Sequence, residues 1–182
     1  MSDWKTQLKT GDTAPNITLK TMDGTDVQLS DIWQRGNTIV TFIRHFGCPA
    51  CRAMLRELEE NKADLERRGL QVVAIGMGTP KRTQDFVAEM AVTFPILADP
   101  RRTAYDAYHL MQMNWREEMR PSQFLKTTQN MLKHGGGSTA GQDVRQLGGT
   151  FIINTKGIIT YAYTNKAVSD DPNVAVLLQA AA

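Results

Sequence analysis

The chain has only two cysteines in 182 residues, Cys48 and Cys51, so it is not a small scaffold held together by disulfides. It has no apolar run long enough to span a bilayer as a helix, and no membrane partner is expected. It has no dense Lys/Arg block and a formal net charge of only +2, which leaves nucleic-acid binding without an electrostatic footprint. The first residues, Met1-Ser2-Asp3-Trp4-Lys5-Thr6, contain no apolar core of a secretory signal. A cytoplasmic setting is therefore expected. No internal repeat or low-complexity tract is present, and His134-Gly135-Gly136-Gly137-Ser138-Thr139 reads as a loop. Those glycines lack the G-x-x-x-x-G-K-[ST] pattern of a phosphate cradle.

What is present fits one soluble globular domain spanning residues 1–182, with 41% hydrophobic and 22% charged residues interspersed. Two short alternating runs around Asp23-Gly24, Ile17–Lys20 and Val27–Leu29, predict an N-terminal hairpin. Thr38–Ile43 and Gln71–Gly76 are β-branched and apolar without polar alternation, the pattern of strands buried on both faces. Between them lies an amphipathic helix that places Ala50, Met54, Leu55, Leu58 and Leu65 on its core side. Arg52, Arg56, Glu59 and Lys62 are expected on its solvated side, and Gly69 ends it. Strand, helix and strand then form a right-handed βαβ unit with parallel strands.

A helix opened by Thr79-Pro80, a short strand at Phe94–Ala98, and a short helix at Thr103–Tyr108 come next. Arg120-Pro121-Ser122 precedes a further expected helix through Phe124, Leu125, Thr128 and Leu132. The hairpin Gly149–Ile153 and Ile158–Tyr163 turns at Asn154–Gly157, and a last helix begins at Asp170-Asp171-Pro172 with Val174, Val176, Leu177 and Leu178. This order predicts an α/β fold: a thioredoxin-like mixed β-sheet with helices on both faces and an N-terminal β-hairpin.

The two cysteines stand where the first buried strand hands over to the amphipathic helix, in Arg44-His45-Phe46-Gly47-Cys48-Pro49-Ala50-Cys51-Arg52. Pro49 suits the first helical position, since it lacks the N–H that would find no partner there. That makes Cys48 the N-cap and Cys51 the third helical residue. At a helix start, unpaired N–H groups and the positive end of the dipole favour a thiolate over a thiol. Arg44 and Arg52 are placed to add positive potential. Cys51 is set deeper and is expected to be the less exposed, so Cys48 attacks and Cys51 resolves. The alternative is metal binding through His45, Cys48 and Cys51, spaced H-x-x-C-x-x-C, with His109 or His134 completing the set.

Several segments resemble one superfamily. Ala14–Leu19, Asp23-Gly24 and Leu29-Ser30-Asp31 look like the entry hairpin of the alkyl hydroperoxide reductase/thiol-specific antioxidant superfamily, and Phe94–Asp99 resembles its F-P-[IL]-x-x-D segment. Arg44–Arg52 and Gln146–Phe151 are similar to its peroxiredoxin-like branch with a C-x-x-C motif. Two departures stand out. The P-x-x-x-T-x-x-C pattern of peroxiredoxins is matched in neither register. The arginine that peroxiredoxins carry before the F-I-I segment falls at Gly148, with Arg145 its nearest substitute.

The resemblance implies a thiol oxidoreductase that reduces a hydroperoxide or related oxidised substrate through a Cys48–Cys51 disulfide, with no cofactor. A thioredoxin-like protein or a low-molecular-weight thiol would be its reductant, and a homodimer is a possible assembly. Arg44 and Arg145 are the implied electrostatic helpers. Gly149, which stands where thioredoxins place a cis-proline, and Thr150 join them as substrate-side candidates. Reduction of a protein disulfide or an endoperoxide by the same cysteines is the alternative activity. A metal-binding or redox-sensing module is the non-enzymatic one.

Overall fold

The computed structural model describes residues 7–113, 139, 141–168 and 170–180. Seven strands form one mixed sheet: β1 (Thr18–Lys20), β2 (Asp26–Gln28), β3 (Asn37–Phe42), β4 (Leu70–Gly76), β5 (Ile96–Ala98), β6 (Gly149–Ile153) and β7 (Ile159–Thr164). Their order across the sheet is β2-β1-β5-β4-β3-β6-β7. The expected thioredoxin-like arrangement is what the chain adopts. β3, β4 and β5 run parallel through helical crossovers, whereas β6 joins β3 antiparallel and carries β7 on its outer edge. The entry hairpin pairs Thr18 with Gln28, and Gly24 takes a positive φ of 90° in its turn.

Helices cover both faces because the central strands are apolar on both. On one face, Ile39, Val72, Ala74, Ile96 and Ile152 pack beneath α2 (Pro49–Glu60), α3 (Lys62–Arg67), α4 (Pro80–Met90) and α6 (Val174–Ala180). On the other, Val40, Phe42, Val73, Ile75 and Phe151 pack against α1 (Leu29–Trp33) and α5 (Thr103–Ala107). The expected single helix after the cysteines is two. Asn61 leaves helical geometry at φ −101° and ψ 8°, while its side-chain amide donates to Glu57 O at 2.8 Å. Gly69, at φ 72°, makes the left-handed turn into β4.

The last helix starts at Val174, later than its sequence signal, because Asn173 caps it by accepting from the Val176 N–H at 3.0 Å. Val174 and Leu177 turn inward, but Val176 is exposed. The helix expected after Ser122, through Leu132, and the glycine-rich tract at 134–138 lie outside the described residues.

Candidate active site

β3 ends at Phe42, and its exit is tied from the opposite face of the sheet. The Tyr105 hydroxyl of α5 lies 2.6 Å from Ile43 O and 2.9 Å from Ile75 O, joining the C-terminal ends of β3 and β4. A tight turn follows, closed by the Cys48 N–H on His45 O at 3.0 Å. Within it, the Phe46 N–H donates to Gln142 Oε1 at 2.8 Å. Pro49 opens α2 as its sequence predicts, and Cys48 is the N-cap. Its Sγ accepts from the Cys51 N–H at 3.4 Å, a sulfur version of the usual capping bond at the third helical position.

Arg44 approaches the same sulfur from the strand side, with Nη1 3.7 Å from Cys48 Sγ. Its other donors are engaged on a distant segment: Nε reaches Gln146 O at 3.2 Å and Nη2 reaches Val144 O at 2.9 Å. Two carbonyls thus use the donors of this buried guanidinium. These contacts therefore fix a cation beside the thiol.

The two thiols are unbonded and both are buried, Cys48 with 0% exposure and Cys51 with 1%. This corrects the expectation that exposure would set them apart, because Arg44 and the capping geometry fold Cys48 inward. Electrostatics separates them instead. The Cys51 thiol donating to its sulfur, then the Arg44 charge and the Cys51 N–H, bring Cys48 down to about 7 against the penalty of burial. Burial, followed by its role as hydrogen-bond donor to Cys48, pushes the Cys51 thiol well up. Of the two, Cys48 is therefore the first to lose its proton.

A carboxylate from the far end of the chain also acts on this pair. Burial raises Asp171, while a bond from Asn165 Nδ2 at 2.6 Å and the Arg44 charge oppose that rise. Its charge in turn opposes ionisation of both cysteines. Sequence reasoning took Asp170-Asp171-Pro172 only as a helix start. Nothing local marks a residue more than a hundred positions away as a neighbour of the thiols.

Other sequence candidates fall elsewhere. Arg52 is buried, not solvated, and it turns toward α4: Nε donates to Phe46 O at 3.0 Å and Nη2 pairs with Glu89 at 2.7 Å. Arg145 is half exposed and paired with Asp143 at 3.2 Å, so it does not reach the thiols. Its guanidinium, which the resemblance to peroxiredoxins would turn toward substrate, folds back on Asp143.

Thr150 and Gly149 have interior contacts. The Thr150 hydroxyl lies 3.0 Å from that of Thr41, which in turn sits 3.4 Å from Met54 Sδ beneath α2. Gly149 faces the other way, where an added Cβ would meet Leu110 Cδ2 at 2.8 Å. His45 is buried, its Nδ1 has no partner among the described residues, and burial with Arg44 beside it lowers its pKa to about 4. Among the described residues no group of three or more His, Cys, Asp or Glu side chains is placed to hold a metal ion, so His45, Cys48 and Cys51 do not converge as ligands. A shallow cleft lined by Phe46, Arg52, Arg82, Asp85, Phe86 and Glu89 includes neither cysteine.

A thioredoxin-like sheet that delivers a helix-capping thiolate, with a protonated partner thiol one turn on, defines a thiol-dependent oxidoreductase. Residues 10–162 match the AhpC/TSA family, and the chain belongs to that family. It is 31% identical over 163 residues to a putative peroxiredoxin of Mycobacterium tuberculosis, covering 88% of this chain and 87% of that protein. It is 26% identical over 187 residues to a chloroplastic thioredoxin-like protein of Arabidopsis thaliana, covering 94% and 72%. Among solved structures, the crystal structure of peroxidoxin BcpB from Mycobacterium tuberculosis shares the fold with a TM-score of 0.71 at 15% identity, covering 96% of this chain and 97% of that one. A putative thiol:disulfide interchange protein DsbE from Chlorobium tepidum shares it at 0.65 and 19%, covering 97% and 100%. No helix among the described residues is long and apolar enough to cross a membrane.

Proposed function

We propose that the chain reduces a hydroperoxide, or a related oxidised substrate, through a Cys48–Cys51 disulfide cycle. Cys48 thiolate attacks one oxygen of the O–O bond. That bond breaks, the sulfur is oxidised to a sulfenic acid, and the leaving alkoxide takes a proton to become an alcohol. The Cys51 sulfur then displaces hydroxide, which leaves as water with the Cys51 proton, and an intrachain disulfide forms. Two thiols of an external donor, a thioredoxin-like protein or a small thiol, reduce it and are themselves joined as a disulfide. A compartment reducing enough to regenerate the pair, such as the cytoplasm, is the setting this cycle requires.

The observation that carries the reading is the charge arrangement at Cys48: a helix N-cap, a donating Cys51 and the Arg44 guanidinium 3.7 Å away. Arg44 would also polarise the departing oxygen, in place of the arginine absent at Gly148. A second reading, reduction of protein disulfides by the same two cysteines, draws support from similarity to the thiol-disulfide oxidoreductase ResA of Bacillus subtilis, 27% identical over 107 residues. That similarity spans 57% of this chain and 58% of that protein.

Stopped-flow peroxide consumption, coupled to a thioredoxin system and run beside insulin disulfide reduction, separates the two. The peroxidase reading expects saturable peroxide turnover that Cys48→Ser abolishes and Cys51→Ser limits to a single oxidation. Turnover unchanged in Cys48→Ser, or insulin reduction without peroxide consumption, overturns it.

A further inference from the structure

Arg52 is a buried charged side chain that the thiol chemistry does not use directly. Its guanidinium spans two elements. Nε donates to Phe46 O at 3.0 Å, Nη2 to Glu89 Oε1 at 2.7 Å, and Nη1 lies 3.7 Å from Met90 Sδ. The Cζ atom stands 5.4 Å from the centroid of the Phe86 ring, which stacks on Phe46 at 4.2 Å with 8° between the planes. Phe46 itself is lodged against the end of β4 and the loop after it, where a Cβ on Gly76 or Gly78 would overlap its ring. Meanwhile the Arg52 backbone N–H donates to Cys48 O at 3.1 Å. One residue therefore grips both ends of the turn that delivers the thiol: the Phe46 carbonyl by side chain, the Cys48 carbonyl by main chain.

The exposure of the two partners is unequal. The Arg52 side chain is 4% exposed and that of Glu89 is 56% exposed. An exposed carboxylate alone contributes little to stability, and burying a guanidinium is costly unless its donors are used in place. A donor fixed on Phe46 O is such a use. The Phe46-Gly47 peptide is the freest link in the turn, because glycine imposes no preference of its own.

We infer that Arg52 is a positioning residue that locks the Phe46–Cys48 turn, anchored through Glu89 and Phe86 of α4, so that Cys48 Sγ stays between the Cys51 N–H and Arg44. This rests on the reading that Cys48 is the reacting thiol. With the lock released, the turn relaxes and the sulfur loses alignment with both of its stabilising partners. Its surroundings otherwise keep their charges: Arg44 and Asp171 act on it unchanged, and the Cys51 N–H stays in place.

The test measures the Cys48 thiolate by its ultraviolet absorbance as a function of pH, in the full chain carrying Cys51→Ser, with Cys48→Ser subtracted. It needs no substrate. An inactive wild type would thus defeat the proposed function while leaving this inference open to the same measurement. Arg52→Lys keeps the charge but cannot reach Phe46 O and Glu89 together, and it is expected to lower the thiolate fraction at pH 7 about fivefold. Glu89→Ala removes the anchor and is expected to lower it about twofold. Val73→Ala, in the core on the opposite face of the sheet, lowers the melting temperature without moving the titration. A titration in Arg52→Lys that superimposes on the parent overturns the inference. If Arg52→Lys does not fold, an unshifted Glu89→Ala overturns it.

Discussion

At Cys48, burial and local charge act in opposite directions, and the balance falls to local charge. Apolar surroundings would favour the neutral thiol, yet the Cys51 donor, the Arg44 cation and the helix start bring it to about 7. Asp171 acts against them, so Asp171→Asn is expected to raise Cys48 reactivity at pH 6 about two- to threefold, as read by thiol alkylation rates across pH. A drop in reactivity would show that its carboxylate assists the thiols. Reactivity of the parent is expected to rise with pH around a midpoint near 7, and the second proton, on Cys51, to leave only far above it. His45 makes a prediction with the opposite emphasis. Its pKa is about 4 in the folded chain against 6.5 when unfolded, so below 6.5 the unfolded chain binds the extra proton. Stability tied to the neutral imidazole is thus complete above pH 6.5 and is lost as pH falls toward 4, by up to about 3 kcal/mol. Urea unfolding at pH 7 and pH 4.5 should show that loss, and His45→Gln should shrink it.

Elements meet at the site through backbone as much as through side chains. Gly148 and Gly149 lead into β6 where it runs beside the end of β3, pairing Gly149 with Phe42 and Thr150 with Thr41. A Cβ on Gly148 would overlap Phe42 O, a backbone atom that cannot turn aside. Gly148→Ala is accordingly expected to cost about 2–4 kcal/mol, measured by denaturant unfolding, with β6 pushed away from β3, whose exit leads to Arg44. An unaltered midpoint would mean that the β3–β6 junction can shift freely. The same junction explains why Arg145 fails as a substitute for the missing arginine. The chain at 143–146 is held by its carbonyls on Arg44, while the Arg145 side chain folds back on Asp143.

Over the whole molecule, the thiols depend on both faces of the sheet. α2, α4 and the C-terminal segment approach from one side, but Tyr105 reaches the ends of β3 and β4 from the other. Tyr105→Phe leaves the Ile43 carbonyl without that donor, in a place closed to water. A loss of about 1–2 kcal/mol in unfolding free energy is expected. Full stability in that variant would mean that the strand ends are held by pairing alone.

The sequence by itself determined the frame and the location of the chemistry. Runs such as Thr38–Ile43 and Gln71–Gly76 can only be strands with two covered faces. Pro49 and the spacing of Met54, Leu55 and Leu58 fix where the helix starts and which side it buries, and Cys48 as N-cap follows directly. These are local signals, carried by periodicity and by the missing proline N–H. Tertiary structure decided what surrounds the sulfur. Whether Arg44, Arg52 or Arg145 faces a thiol depends on which carbonyl or carboxylate claims each guanidinium first: Gln146 and Glu89 do so from distant segments, and Asp143 from two residues away. The order of the two thiols was decided there too: the Cys51 thiol donates to Cys48 Sγ with Arg44 beside it, which lowers Cys48 despite burial, while burial and that same donation hold Cys51 up.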